Sequence, residues 1–154
     1  ACFDLRAYLT PGTVVKLYDA YNTKLTRTAR DEVSKGESGI LLKLHPRVLI
    51  PTVLIRRIPA FHSIRVHPRS GLSWAEGITS TNCQGIIDND YVEELFLSLT
   101  NASLKRVFLG HNERIAQAEV VEGIHLPDII LAELQNKPDR KTERTDGFGH
   151  TGKK

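Results

Sequence analysis

Prolines punctuate the first half of this chain at Pro11, Pro46, Pro51, Pro59 and Pro68, and they limit its fold more than any other feature. Proline has no backbone N–H and its ring clashes with the preceding helical turn, so each one interrupts a helix. Short β-branched or apolar runs stand between them, at residues 13–17, 48–50, 53–58 and 64–66. Further along, Leu95, Leu97 and Leu99 alternate with Phe96, Ser98 and Thr100, the period of two that sets one face of a strand against a core. Residues 115–121 read as another strand. The one helix expected is short, around residues 127–135, with Asp128 placed to take part in N-terminal capping. Many short strands with turn signals between them predict an all-β sandwich or barrel.

At 154 residues the chain is long enough for one domain with a real core. Residues 1–136 are expected to form that domain, with a polar, Thr- and Ser-rich stretch over 17–42 as a loop excursion. Residues 137–154 read as a flexible arm, charged and without hydrophobic period. No run of 18 apolar residues exists, so no membrane span is expected. The opening Ala1-Cys2-Phe3-Asp4-Leu5-Arg6 has no signal-peptide character. Cys2 and Cys83 are too few and too far apart for a disulfide framework or a zinc site. Either suits a buried small apolar position, and together they fit a reducing compartment such as the cytoplasm.

The net charge of +3 is unevenly spread: residues 136–154 carry six Lys/Arg against three Asp/Glu, the whole excess. Between Glu37 and Glu76 there is no acidic residue, while Lys43, Arg47, Arg56, Arg57, Arg65 and Arg69 are basic. Such a stretch is a solvated face or a surface for a polyphosphate or nucleic acid. The modest total argues against a dedicated DNA-binding protein, and no stable nucleic-acid binding is expected.

Four segments carry possible chemistry. Gly85-Ile86-Ile87-Asp88-Asn89-Asp90-Tyr91 sets two carboxylates two positions apart; on a strand both would share a face, where crowding calls for a cation or a donor between them. Alone it is an acidic hairpin turn. Pro68-Arg69-Ser70-Gly71-Leu72 joins a guanidinium fork suited to phosphate oxygens, a hydroxyl, and a glycine that lets backbone approach a ligand; alone it is an ordinary turn. Asn112-Glu113-Arg114-Ile115-Ala116-Gln117 is a turn entering a strand, with an amide at Gln117. Gly147-Phe148-Gly149-His150-Thr151-Gly152-Lys153 spells GxxxxGK, but Lys154 stands where a P-loop needs Ser or Thr, and no helix can follow. His111-Asn112-Glu113 imitates half a zinc-deaminase signature without its P-C-x-x-C partner. No G-x-S-x-G is present.

In order along the chain, these segments resemble the five motifs of the trimeric dUTPases, the dUTP pyrophosphatases. Phe3-Asp4-Leu5-Arg6-Ala7 is similar to the first, the Pro68 and Gly85 segments to the second and third, Glu113–Gln117 to the fourth and Gly147–Gly152 to the fifth. Asn82 stands six residues before Asp88, as in the family. The resemblance implies a jelly-roll-like distorted β-barrel with one short helix and a C-terminal arm, assembled as a homotrimer whose active sites are shared between subunits. It implies Mg²⁺-dependent cleavage of dUTP to dUMP and pyrophosphate. Asp88 would activate the water that attacks the α-phosphorus. Asn82, Gly85 and Ile87 would read uracil, and Tyr91 would pack on the deoxyribose. Arg69, Ser70, Gly71 and Gln117 would hold phosphates, Asp4 the metal through water, and Phe148 would lid the base beside Gly149, His150 and Thr151.

Some positions depart from the family pattern. Arg144 stands four residues before Phe148, where the family has its arginine at five. Asn112 replaces a turn glycine, a mild change because Asn tolerates the left-handed region. The family usually has a strand before its first motif, so either that strand is missing from the sequence here or a sheet edge is left open. The 17–42 excursion is longer than the family norm and reads either as a solvated loop or as a surface for an unknown protein partner, as a virus- or phage-encoded member would carry. In that case the site of action is the host bacterial cytoplasm. The rival to catalysis is a regulatory dUTP-binding protein on the same scaffold.

Overall fold

A computed structural model describes residues 2–32, 36–54 and 57–123. The chain divides into two units, Ala1–Gly123 and Ile124–Lys154, and the second lies outside the described residues. The expected helix at 127–135, the arm, and Arg144, Phe148, Gly149, His150 and Thr151 all fall there.

Twelve strands and one helix are described: β1 Phe3–Arg6, β2 Val14–Tyr18, β3 Lys24–Thr28, β4 Arg30–Glu32, β5 Glu37–Leu42, β6 Arg47–Pro51, β7 His62–Pro68, α1 Ser70–Glu76, β8 Ile78–Ser80, β9 Gly85–Ile87, β10 Phe96–Asn101, β11 Val107–Gly110 and β12 Arg114–Glu122. They form three antiparallel sheets, ordered β1-β12-β7-β9, β3-β2-β6-β10-β8 and β11-β5-β4. Each sheet turns one face inward. Leu97 and Leu99 of β10, Val48 and Ile50 of β6, Leu5 of β1 and Ile115, Ala116 and Ala118 of β12 are all buried in one apolar core. Alternation sorts strands such as β2 and β10 into a core row and an outer row.

Asn101 is the one fully buried polar side chain among the described residues. Its amide nitrogen donates to the carbonyls of Lys43 (2.8 Å) and Lys105 (2.7 Å), and its oxygen accepts from the backbone N–H and the hydroxyl of Ser103. Those four bonds stitch two loops to the end of β10 and offset the desolvation of a buried amide.

Four expectations need correction. Residues 18–39, read as a loop, contain β3, β4 and part of β5. β3 pairs with β2 through Val14↔Thr28 to Tyr18↔Lys24, and β4 pairs with β5. The ladder is backbone, so polar Thr and Lys side chains on the exposed β3 conceal it. Residues 53–58, read as a strand, are not one at any described position. Val53 has φ 56°, and Thr52 Oγ1 and Glu94 Oε1 take the N–H groups of Leu54 and Val53 that a ladder would use. The segment Pro68–Leu72, read alone as a turn, runs into the helix α1, Ser70–Glu76. Leu72 anchors it in the core and Gly77, at φ 72°, closes it by donating to the Leu72 and Ser73 carbonyls. Cys2 and Cys83 are exposed rather than buried, Cys83 in a left-handed turn at φ 57°.

Candidate active site

The sequence-predicted residues gather in two places. The first is a cavity of about 320 Å³ at the open edge of β9, within the size range of small-ligand pockets. Asn82, Gly85, Ile87, Asp88, Asp90 and Tyr91 line it, with Val66, Leu95 and Leu97 as apolar wall and Ser80 and Ser98 as polar floor. Among the described residues β9 ends its sheet, paired only with β7, so its outer edge leaves backbone N–H and C=O groups unpaired beside the cavity. Such an edge can match alternating donors and acceptors on a flat ring. A Cβ at Gly85 would press on the Val66 Cβ at 3.3 Å and meet the Asn82 amide nitrogen at an ordinary contact distance of 3.5 Å. The Tyr91 hydroxyl donates to the Glu94 carbonyl at 2.8 Å and fixes the ring at the mouth.

Strand alternation does not place Asp88 and Asp90, because β9 stops at Ile87. Instead, the Tyr91 N–H donates to the Asp88 carbonyl at 3.2 Å, and the turn bends both carboxylates onto the same cavity. The wall residues Leu95, Leu97 and Ser98 were legible only as one strand, and nothing in the sequence ties that strand to the hairpin.

The second place joins three strands. Asp4 on β1 lies opposite Gln117 on β12, and the Gln117 amide donates to Asp4 Oδ1 at 3.5 Å. Arg114 Nη1 pairs with Asp4 Oδ2 at 3.3 Å, and Arg69 Nε lies 3.9 Å from Asp4 Oδ1. Arg69 is held from the far side, its Nη1 donating to the Arg114 carbonyl at 2.8 Å. Ser70 and Gly71 follow at the start of α1, and a Cβ at Gly71 would meet nothing within 4 Å, so backbone there is open to a ligand. The three side chains of the central group are only about a quarter to a half exposed, and two guanidiniums around one carboxylate leave positive charge for an anion. Arg114 belongs to this group more closely than its turn position suggested. Behind it, the Gly110–Glu113 turn is closed by the Gly110 N–H donating to Glu113 Oε2 at 2.9 Å, with Asn112 at φ 63°. Burial pushes the Glu113 carboxyl above its ordinary range; neighbouring Glu37 and Glu76 add to the rise, while the Gly110 bond and Arg69 work against it.

The two places are separate within one chain: Val66 of the cavity wall stands three positions from Arg69, but the Asp88 turn lies at the far end. Ile87 pairs with Ile64, so the ladder continued by one residue sets Asp88 beside Ser63, whereas Arg69 follows Pro68 at the other end of β7. Six positions of strand separate them, roughly 20 Å at about 3.3 Å per residue. Neither Asp4, Arg69, Ser70 nor Gln117 lines the β9 cavity.

As a metal centre the second group is thin. No cluster of three or more His, Cys, Asp or Glu occurs among the described residues. A lone carboxylate fits a hydrated, hard cation carried by a polyphosphate and does not fit a protein cage.

The sequence model of the dUTPase family matches residues 35–152. This chain belongs to the dUTPase family. Its relatives include the deoxyuridine 5'-triphosphate nucleotidohydrolase of Finegoldia magna, 38% identical over 119 residues, which cover 75% of this chain and 78% of that protein. The namesake from Nautilia profundicola is 37% identical over 138 residues, covering 89% and 92%. Among solved structures, a dUTPase of Staphylococcus bacteriophage 80alpha, determined with dUpNHpp, superposes with a TM-score of 0.59 at 18% identity, covering 91% of this chain and 98% of that one. The dUTPase of Streptococcus mutans gives 0.57 at 18%, covering 81% and 80%. These likenesses confirm the expected dUTPase-like β fold for the sheets described above.

Proposed function

We propose that this dUTPase-family chain hydrolyses dUTP to dUMP and pyrophosphate, in a homotrimer whose subunits share each active site. The observation that carries the reading is the division of the site. A base-sized cavity with a carboxylate at its mouth lies at one end of β7, and a cationic group suited to phosphates lies at the other. One reaction centre needs both, and roughly 20 Å of strand lies between the Asp88 turn and Arg69 in one protomer. A threefold assembly brings the cavity of one subunit against the cationic group of the next.

Within that centre the open edge of β9 and the Asn82 amide read uracil. Cytosine reverses a donor and an acceptor on the same edge and leaves buried groups unpaired, so it is rejected. The Tyr91 ring packs on the deoxyribose and leaves no room for a 2'-hydroxyl. Arg69, Ser70, the Gly71 backbone and Gln117 of the neighbouring subunit hold the phosphates. Asp88 takes a proton from the water that attacks the α-phosphorus; the bond from that phosphorus to the bridging oxygen breaks, and pyrophosphate leaves. Mg²⁺ on the triphosphate supplies charge neutralisation, and Asp4 is the residue that would hold it through water. The arm, with Phe148 over the base, Gly149, His150 and Thr151 beside it and Arg144 toward the terminal phosphate, closes the site and excludes water. A protein with this role acts where deoxynucleotides are made, in the cytoplasm.

The test is pyrophosphate release from dUTP, dCTP, dTTP and UTP with Mg²⁺, for the parent and Asp88→Asn. Turnover confined to dUTP, with kcat lowered about 10²- to 10⁴-fold in the variant, is the expected result. Equal turnover of dCTP, or an active Asp88→Asn, would overturn the assignment.

A further inference from the structure

His67 is a residue the mechanism above does not use, yet the fold sets it beside the phosphate-holding group. The registers Asp4↔Gln117 and Gln117↔His67 run across three strands without a break. Leu5, Ala116, Ala118 and Val66 are buried on the inner face, so Asp4, Gln117 and His67 form one row on the outer face. Neighbours in such a row have Cβ atoms about 5 Å apart. Along β7 the next residue on that face is Arg69.

The imidazole is also held in a defined state. Arg65 is the residue directly opposite Glu119, yet the Glu119 carboxylate bonds His67 Nε2 on the diagonal, at 3.1 Å. An ionised carboxylate only accepts, so Nε2 carries the hydrogen. Nδ1 is then an acceptor while the ring is neutral, and becomes a donor to a phosphate oxygen when the ring is protonated. Both side chains are about one-third exposed, so a ligand can reach them. The groups on the same outer face are Glu119 and Gln117 on β12, Arg65 and Arg69 on and after β7 and Asp4 on β1, with Arg6 and Arg114 beyond the register shift; on β9, apolar Ile86 lies opposite Arg65.

We propose that His67, oriented by Glu119, is a further phosphate-binding residue of the shared site, engaging the triphosphate of dUTP in its protonated form. This rests on the dUTP reading above. Its consequence is a substrate affinity that strengthens as pH falls through the histidine range, beyond what the substrate's own terminal phosphate produces. No bond to substrate is made or broken by His67, so the effect falls on KM and Kd.

The experiment compares the parent with His67→Gln and Glu119→Gln from about pH 5.5 to about pH 8.5. Kd for the non-hydrolysable analogue α,β-imido-dUTP is measured by calorimetry, and KM and kcat for dUTP with Mg²⁺. The ratio of variant to parent Kd cancels the titration of the ligand itself. For His67→Gln it should fall from about three- to tenfold at the acid end to about one at the alkaline end. Glu119→Gln removes the carboxylate that orients the ring, so it should weaken the analogue in the same direction as His67→Gln. A flat ratio of one for His67→Gln would overturn the inference and leave the dUTP reading standing. A parent that neither binds the analogue nor turns over dUTP would overturn both.

Discussion

Single residues in this protein divide into those that hold the turns and those that meet the ligand. Asn101 is of the first kind. Asn101→Leu would take the amide donor from the Lys43 and Lys105 carbonyls, leaving Lys105 only the longer bond from the Ser103 hydroxyl at 3.4 Å, and should destabilise the protein by about 1–3 kcal/mol. The denaturation midpoint in urea should fall with little change in slope. Glu113 gives a prediction in pH. Its native carboxyl is raised above the unfolded value of 4.5, first by burial and then by Glu37 and Glu76. The protonated form is therefore favoured by folding. Its contribution is complete below pH 4.5 and is lost as pH climbs through the raised native value. Glu113→Gln should remove that loss, so the difference in Tm, variant minus parent, should grow as pH rises across that window. At this scale the sequence was eloquent wherever a side chain has one use. Asp4, Arg69 and Gln117 were singled out from separate segments, and the fold joins them. Glu119 and His67 were passed over because a Glu and a His on separate strands carry no mark of contact until the register is known.

Elements were legible where burial enforces a period. β10 and β12 could be read from alternating apolar residues, because one face of each is sealed in the core. β3 could not, because it is exposed on both faces and its reason for being a strand is the ladder to β2. α1 was hidden by Pro68, Ser70 and Gly71, all turn formers, and is decided by Leu72 entering the core and Gly77 closing the last turn. These findings change what an excision would do. Ile40 and Leu42 of β5 and Ala29 before β4 are core residues, so deleting residues 24–42 should abolish cooperative unfolding. The tip at 19–23 stands differently. Asp19 caps it by accepting from the N–H groups of Tyr21 and Thr23. Asp19→Ala should cost only about 1 kcal/mol in a thermal melt and leave turnover unchanged.

For the whole molecule, the separation along β7 makes a prediction that no single-site variant can test. Asp88→Asn spoils the cavity half of a site and Arg69→Ala the cationic half, so each homotrimer should be nearly inactive. If neighbouring subunits supply the two halves, random mixed trimers contain sites built from one sound half of each. Co-refolding equal amounts should restore about a quarter of parental activity. No recovery in verified mixed trimers would place both halves in one subunit. Nothing in the amino-acid pattern announces this, because a motif names residues and is silent on which copy they serve.

If the site is divided between subunits as proposed, the enzyme rate becomes a census of its own subunits. Below the concentration at which protomers assemble, active species grow as the cube of total protein, and specific activity collapses on dilution. A cell making little of this chain would have almost no activity. One making a few times more would cross a threshold, with no separate regulator needed.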